Sequence, residues 1–125
     1  MQPIMVAFTP SFVRKILLRE KTIELRKFSP VSNKLIIFEK RPMMAIVAKC
    51  KIKQIVSGNA DYWCNYSNKL CMSTKEIKDY LGESDGYGWY LSDIQRTKQV
   101  PFNMLGLSCI PSKFIYTPYD WFYNL

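Results

Sequence analysis

Three charged residues stand close together just after the first predicted helix. Lys21, Glu24 and Arg26 fall between positions 21 and 26. Alternate residues of a strand point to the same side, so Glu24 and Arg26 share a face and Lys21 lies at the turn beside them. A carboxylate between two cations can read the edge of a base while the cations contact a phosphate. The alternative is an ion pair on a solvated strand edge, which contributes about 0–1 kcal/mol.

Two further residues are positioned to contact the same ligand. Tyr87 follows the turn signal Asp85-Gly86 and can stack on a base, whereas Trp89 on the same strand is expected in the core. Ser11 begins the first helix and offers a hydroxyl and nearby amides to a phosphate, or simply helps to cap the helix.

A basic stripe runs along one predicted strand. Lys49, Lys51 and Lys53 alternate there with apolar residues, which is typical of a half-buried strand with one charged face. Such a stripe either follows a nucleic-acid backbone or is a solvated face. The formal charge of +8 favours a polyanionic partner, and nucleic acid is the first choice.

Composition narrows the kinds of chemistry available. The chain has no histidine, which excludes Ser-His-Asp and Cys-His catalysis and zinc sites built on histidine. The four cysteines lie at spacings of 14, 7 and 38 residues, which fit no usual zinc pattern. We therefore predict reduced thiols, no metal and no cofactor.

The elements that must position these residues fit one domain over 125 residues. Apolar patterning predicts strands over 4–8, 21–26, 34–39, 44–56 and 87–98. Thr9 and Pro10 begin a helix, 61–65 is a helical turn, and Ser73 and Glu76 form a capping box before a second helix. The order predicts an α+β chain dominated by strands and curved into a small barrel with two or three short helices.

The first and last segments of the chain predict where the protein is located and whether it associates. The start lacks the features of a signal peptide and no stretch is apolar enough to span a membrane, so we expect a cytoplasmic protein that does not bind membranes. The aromatic residues of 117–125 are expected to cover an open end of the barrel rather than mediate association. A monomer is therefore favoured.

Four segments resemble the ASCH domain family, part of the PUA-like superfamily, in the right order. Residues 20–26, EKTIELR, resemble its G-x-K-x-x-E-x-R motif, with Lys21, Glu24 and Arg26 at the charged positions. The segments 41–47 (RPMMAIV), 85–88 (DGYG) and 110–114 (IPSKF) resemble three later segments of the family. The residues of 117–125 extend past the resemblance.

The resemblance implies a PUA-like β-barrel with a charged cleft, proposed to bind RNA. One branch of the family hydrolyses acetylated cytidine with a threonine, a lysine and a glutamate, and another member type has been linked to ribonuclease activity. This chain has Glu24 where the amidohydrolase branch has its threonine, and Thr22 is not an equivalent. Arg19 replaces the leading glycine of the motif and adds a cation near the cleft, where we expect it to contact a nucleic-acid backbone together with Lys49, Lys51 and Lys53.

Three functions follow from these observations. The first is an RNA-binding or nucleotide-binding module that uses the charged cleft. The second is a hydrolase of a modified nucleoside or of RNA, with Lys21 as base and Glu24 as acid or base. The third is a basic adaptor that binds an acidic protein.

Overall fold

The computed structural model describes residues 1–125 and contains six strands and five α-helices in an α+β arrangement. The strands are β1 (Ile4–Phe8), β2 (Ile23–Arg26), β3 (Lys34–Glu39), β4 (Ala45–Gly58), β5 (Gly86–Pro101) and β6 (Ile115–Tyr116). The helices are α1 (Pro10–Leu17), α2 (Ala60–Cys64), α3 (Ser67–Leu70), α4 (Thr74–Leu81) and α5 (Tyr119–Asn124), and a 3₁₀ turn spans Phe102–Met104. The strands predicted from apolar patterning are all present, but the number of helices exceeds the two or three predicted.

All six strands belong to one sheet, in the order β2-β5-β4-β3-β1-β6. The β1–β3 pair is parallel and the other pairs are antiparallel. The hydrogen-bonded ladder is open, with β2 and β6 at its edges, so a closed barrel is not confirmed. The mixed sheet with flanking helices confirms the α+β class.

Helix α1 begins where the sequence predicts, because Thr9 is extended and Pro10 takes the first helical position. Thr9 forms no side-chain capping hydrogen bond. Val13 and Ile16 are fully packed against the sheet. The helix therefore fixes the short connection that leads into β2.

Strand β4 departs from simple alternation. The sequence pattern places Ile46 on the same face as Ala48 and Cys50, but in the structure the register with β5 shifts between Ile46 and Ala48. Ile46 packs in one cluster, whereas Ala48 and Cys50 pack in another on the opposite face. The prediction for Ile46 was wrong because a β-bulge reverses the direction of the side chains.

The sheet is covered on both faces. One face of β1 and β3 packs with α1 and Trp89, which is fully buried as predicted. The other face packs against the end of the chain, where Phe122 of α5 contacts Met5 and Phe38. Trp121 and Phe122 thus cover a sheet face rather than the end of a barrel, whereas Tyr119 and Tyr123 are exposed.

A third hydrophobic cluster joins β2 to the helices α2, α3 and α4. Trp63 of α2 is fully buried and donates a hydrogen bond from Nε1 to the Gly86 carbonyl at 3.0 Å. Helix α4 begins with the predicted capping box between Ser73 and Glu76 and ends at Gly82 with φ of 57°. No helix is both long and apolar enough to cross a membrane.

Candidate functional site

The predicted charged motif forms a continuous chain of ion pairs around Glu24. One carboxylate oxygen lies 3.2 Å from Lys21 Nζ, and the other accepts a hydrogen bond from Arg26 Nε at 2.6 Å. The side chain of Glu24 is 5% exposed and that of Lys21 is 0% exposed. Arg26 is 17% exposed, so it is the member of the trio that a ligand can reach most readily.

Lys21 is fixed by groups from two neighbouring helices. Its ammonium donates a hydrogen bond to the Leu70 carbonyl of α3 at 2.7 Å and lies 4.4 Å from the centre of the Phe12 ring of α1. A buried ammonium needs such partners because removing it from water is costly. In this position Lys21 orients Glu24 rather than lining the open space beyond it.

Arg26 connects the edge strand β2 to β1. Its Nη2 donates a hydrogen bond to the Ala7 carbonyl at 3.3 Å, and its guanidinium carbon lies 5.3 Å from the centre of the Phe8 ring. The two strands are not paired with each other. A side-chain contact therefore spans the gap between them.

A cleft of about 280 Å³ opens at this gap. Its charged lining consists of Glu24, Arg26 and Lys40, and Tyr80 and Ser112 supply hydroxyl groups. The rest of the lining consists of Thr9 and of apolar residues, which are Ala7, Phe8, Phe12, Leu25, Met72 and Pro111. The cleft combines fixed charges with aromatic and aliphatic surface, as ligand sites usually do.

Tyr80 of α4 lines the cleft together with Glu24 and Arg26. Burial raises the pKa of its phenol above the ordinary value of 10.0, with Arg26 opposing the shift and Glu24 adding to it. The phenol therefore keeps its proton at neutral pH and can donate a hydrogen bond. Lys27 Nζ lies 5.1 Å from the centre of the same ring.

The other predicted ligand-binding residues lie outside the cleft. Ser11 is exposed on α1 and is not part of the lining. Tyr87 is half-buried on β5 opposite Arg26 and packs against the core. The structure thus brings together Lys21, Glu24 and Arg26, whereas Ser11 and Tyr87 are not among the residues that line the cleft.

Arg19 occupies the position where the motif has glycine, and its φ is 65°. This is the left-handed region that glycine adopts most easily. The guanidinium donates hydrogen bonds to the carbonyls of Leu17 at 2.8 Å and Ile94 at 2.9 Å. Arg19 is not among the residues that line the cleft, and its contact with a nucleic-acid backbone remains a prediction.

The predicted lysine stripe is divided by the structure. Lys49 donates hydrogen bonds to carbonyls of the last helix, Lys51 lies 3.6 Å from Asp93, and Lys53 is exposed. None of the three lines the cleft. A role in contacting a nucleic-acid backbone remains a prediction for them.

The sequence patterns did not identify several cleft residues, among them Lys40, Tyr80 and Ser112. Tyr80 lies at helical spacing from Ile77, which is typical of an apolar helix face, and no local signal places Lys40 near the motif. Ser112 lies in the segment 110–114 that carries the resemblance, so the sequence did contain a signal for it. No group of three or more His, Cys, Asp or Glu side chains is arranged to hold a metal ion.

Comparison with known proteins agrees with this architecture. No known family profile matches the chain. The ASCH domain-containing ribonuclease of Zymomonas mobilis is 24% identical over 105 residues, which cover 80% of this chain and 71% of that protein. The crystal structure of ASCH from Zymomonas mobilis matches with a TM-score of 0.85 at 20% identity, covering 95% of this chain and 90% of that one.

The chain has the ASCH fold. A tyrosine-to-phenylalanine variant of the Zymomonas mobilis protein also matches with a TM-score of 0.85, at 21% identity over 96% of this chain and 93% of that one. The expected resemblance to ASCH proteins is therefore confirmed at the level of the fold. In this ASCH fold, the charged motif lies at the gap between β1 and β2.

Proposed function

We propose that the cleft of this ASCH fold binds RNA or a nucleotide-like ligand. The observation that carries the proposal is the Glu24 carboxylate fixed between Lys21 and Arg26 at the wall of the cleft. Because both partners are held by other contacts, the carboxylate and the guanidinium have defined positions before a ligand arrives. Preorganised polar groups of this kind discriminate between ligands by their donors and acceptors.

The lining suits the three parts of a nucleotide. Arg26 and Lys40 supply positive charge for a phosphate, and Tyr80 and Phe12 supply aromatic surface for a base. Glu24 accepts hydrogen bonds from the amino or imino group of that base. The charge of +8 increases the rate and strength of association with any polyanion.

The relative adds support for RNA as the polymer, since the similar Zymomonas mobilis protein is named a ribonuclease. The test is a titration of labelled single-stranded RNA, followed by fluorescence anisotropy at about 50 mM and about 200 mM salt. Tyr80→Ala should raise the Kd at least about fivefold, the size expected for one lost stacking contact. Lys40→Gln should weaken binding. It should also reduce the slope of the logarithm of the binding constant against the logarithm of the salt concentration by about 0.7, the value for one lost phosphate contact.

The matched control is Lys75→Gln on α4. The Lys75 side chain is 84% exposed and pairs only with Asp79 on the same helix, so its loss should leave the affinity unchanged. Equal affinities for wild type, Tyr80→Ala and Lys40→Gln would contradict a ligand site in the cleft.

A second candidate function is cleavage of the bound RNA. The observation that favours it is the ribonuclease name of the relative, together with a cleft lining that includes the hydroxyls of Ser112 and Tyr80 and the ammonium of Lys40. Incubation of end-labelled RNA with wild type should give shorter fragments, and Ser112→Ala should abolish them while binding persists. RNA that stays intact under conditions of full binding would exclude this function and leave a binding module.

A further inference from the structure

A second surface of the molecule combines exposed tyrosines with lysines, on the side of the sheet that α5 covers. Tyr119 and Tyr123 are one helical turn apart on α5 and are 61% and 65% exposed. Lys34 Nζ lies 6.0 Å from the centre of the Tyr123 ring. Together with Lys51, these residues define what we call the tyrosine–lysine surface.

The two lysines point to the same side as the helix. Lys34 of β3 and Lys51 of β4 are directly paired across the strands. Leu35 and Cys50, their neighbours in sequence, both pack into the cluster on the opposite face. Since side chains alternate along a strand, Lys34 and Lys51 project toward the face that carries α5.

Lys49 holds α5 against this face. Its ammonium donates hydrogen bonds to the Phe122 carbonyl at 2.6 Å and the Leu125 carbonyl at 3.3 Å, and it lies 5.1 Å from the centre of the Phe122 ring. A cation at the carboxyl end of a helix is favourable because that end carries partial negative charge. Lys49 therefore positions the helix that carries the two tyrosines.

Little negative charge opposes the surface. Asp93 lies 3.6 Å from Lys51, but both side chains are more than half exposed, so this pair is weak and screened. Asp120 is the only acidic residue of α5. Exposed rings beside accessible ammonium groups are the combination with which proteins bind single strands, the rings stacking on bases and the cations following phosphates.

We propose that the tyrosine–lysine surface is a second contact site for single-stranded RNA, separate from the cleft. Lys34 begins β3 and the cleft residue Lys40 directly follows its last residue, and six residues at about 3.3 Å each place them about 20 Å apart. The two sites are thus too far apart to bind the same nucleotide. A strand that contacts both gains affinity through the high local concentration of its second part.

The experiment is an anisotropy titration with a single-stranded RNA of about 16 nucleotides, the upper end of the usual site size. The variants are Tyr119→Ala/Tyr123→Ala and Lys34→Gln/Lys51→Gln, each in the wild-type background and in the cleft-deficient background Lys40→Gln/Tyr80→Ala. Tyr116→Ala is the control for the tyrosines, since Tyr116 is 52% exposed but packs beside Phe114. Lys75→Gln is the control for the lysines. Thermal unfolding checks that each variant is folded.

The proposal expects the tyrosine pair to raise the Kd at least about fivefold in both backgrounds. The lysine pair should lower the log–log salt slope by about 1.4, which is about 0.7 for each of two phosphates. If the cleft variants bind RNA like wild type while the tyrosine pair still weakens binding, the cleft proposal fails and this one holds.

Two results would overturn the second site. One is a double variant Tyr119→Ala/Tyr123→Ala that binds RNA with the same Kd as the control Tyr116→Ala. The other is binding of a polyglutamate peptide to the protein that is weakened by Lys34→Gln/Lys51→Gln but unchanged by Tyr119→Ala/Tyr123→Ala. That result would assign the surface to an acidic protein.

Discussion

At the residue scale, the spacing of Lys21, Glu24 and Arg26 predicted their association, and the structure confirms it. Their depth of burial was not predictable from the spacing. It depends on Leu70 and Phe12, which come from other parts of the chain and enclose the Lys21 ammonium. Local patterns give the direction of a side chain, whereas its surroundings depend on tertiary packing.

The burial of this trio makes Glu24 important for stability. Glu24→Gln removes the negative charge that lies between two cations, and Lys21 has no exposed side-chain surface through which water could compensate. We expect the free energy of unfolding to fall by about 3–5 kcal/mol, as for other broken buried pairs. Urea denaturation measures this quantity.

The control for this prediction is the double variant Lys21→Met/Glu24→Gln. It removes the buried cation together with its partner, so part of the lost stability should return. A loss below about 1 kcal/mol in Glu24→Gln would show that the pair behaves like an ordinary surface ion pair.

At the element scale, apolar patterning located the strands, but three features escaped it. Helix α3 spans only Ser67–Leu70, which is too short for a periodic signal, and α5 lies within a run of aromatics without clear period. The bulge of β4 between Ile46 and Ala48 depends on pairing with β5 and has no local mark. The two helices were missed because their local patterns are too short or irregular, and the bulge was missed because it depends on pairing between distant strands.

The contact between Gly88 and Trp63 shows how tightly two elements meet. A Cβ atom at Gly88 of β5 would lie 2.0 Å from Cη2 of the Trp63 ring, which is fully buried in α2. Gly88→Ala should therefore lower the free energy of unfolding by about 1–3 kcal/mol or more through overpacking. Thermal or urea unfolding tests this expectation.

The matched variant for Gly88→Ala changes the ring instead of the glycine. In the Trp63→Leu background the added methyl group has room, so the alanine substitution should cost much less there. The same cost in both backgrounds would contradict the steric explanation.

The capping box of α4 predicts that the free energy of unfolding depends on pH. Hydrogen bonds from the Ser73 backbone and then its side chain hold the pKa of Glu76 below its ordinary value of 4.5. The Glu76 carboxyl group therefore binds a proton less readily in the folded state than in the unfolded state. Its contribution to the free energy of unfolding is present above the unfolded pKa and is lost as pH falls through the folded pKa. Urea unfolding of wild type and Glu76→Gln between about pH 7 and pH 2 measures it.

The stability difference between wild type and Glu76→Gln should be largest near neutral pH and disappear in acid. The matched variant is Glu83→Gln, which changes an exposed glutamate after the same helix that takes no part in the capping box. A difference that stays constant across this range would contradict the role assigned to the Glu76 carboxylate.

At the scale of the whole molecule, the open sheet explains why the cleft lies where it does. Strand β2 is an edge of the sheet, and the Arg26 side chain contacts the Ala7 carbonyl of β1 across the gap. The cleft occupies this gap, and its lining comes from segments as distant as Phe8 and Ser112. Sequence order predicted the α+β class and the ASCH resemblance, but only the folded chain brings Lys40, Tyr80 and Ser112 to the motif.

The central claim is that RNA occupies this cleft, and ultraviolet cross-linking followed by mass spectrometry tests it most directly. The probe is a single-stranded RNA of about four nucleotides, which is short enough to fill one site only. We predict cross-links to Tyr80 and Phe12 that are lost in Lys40→Gln/Tyr80→Ala. Cross-links confined to residues outside the cleft, and unchanged in that variant, would contradict the account.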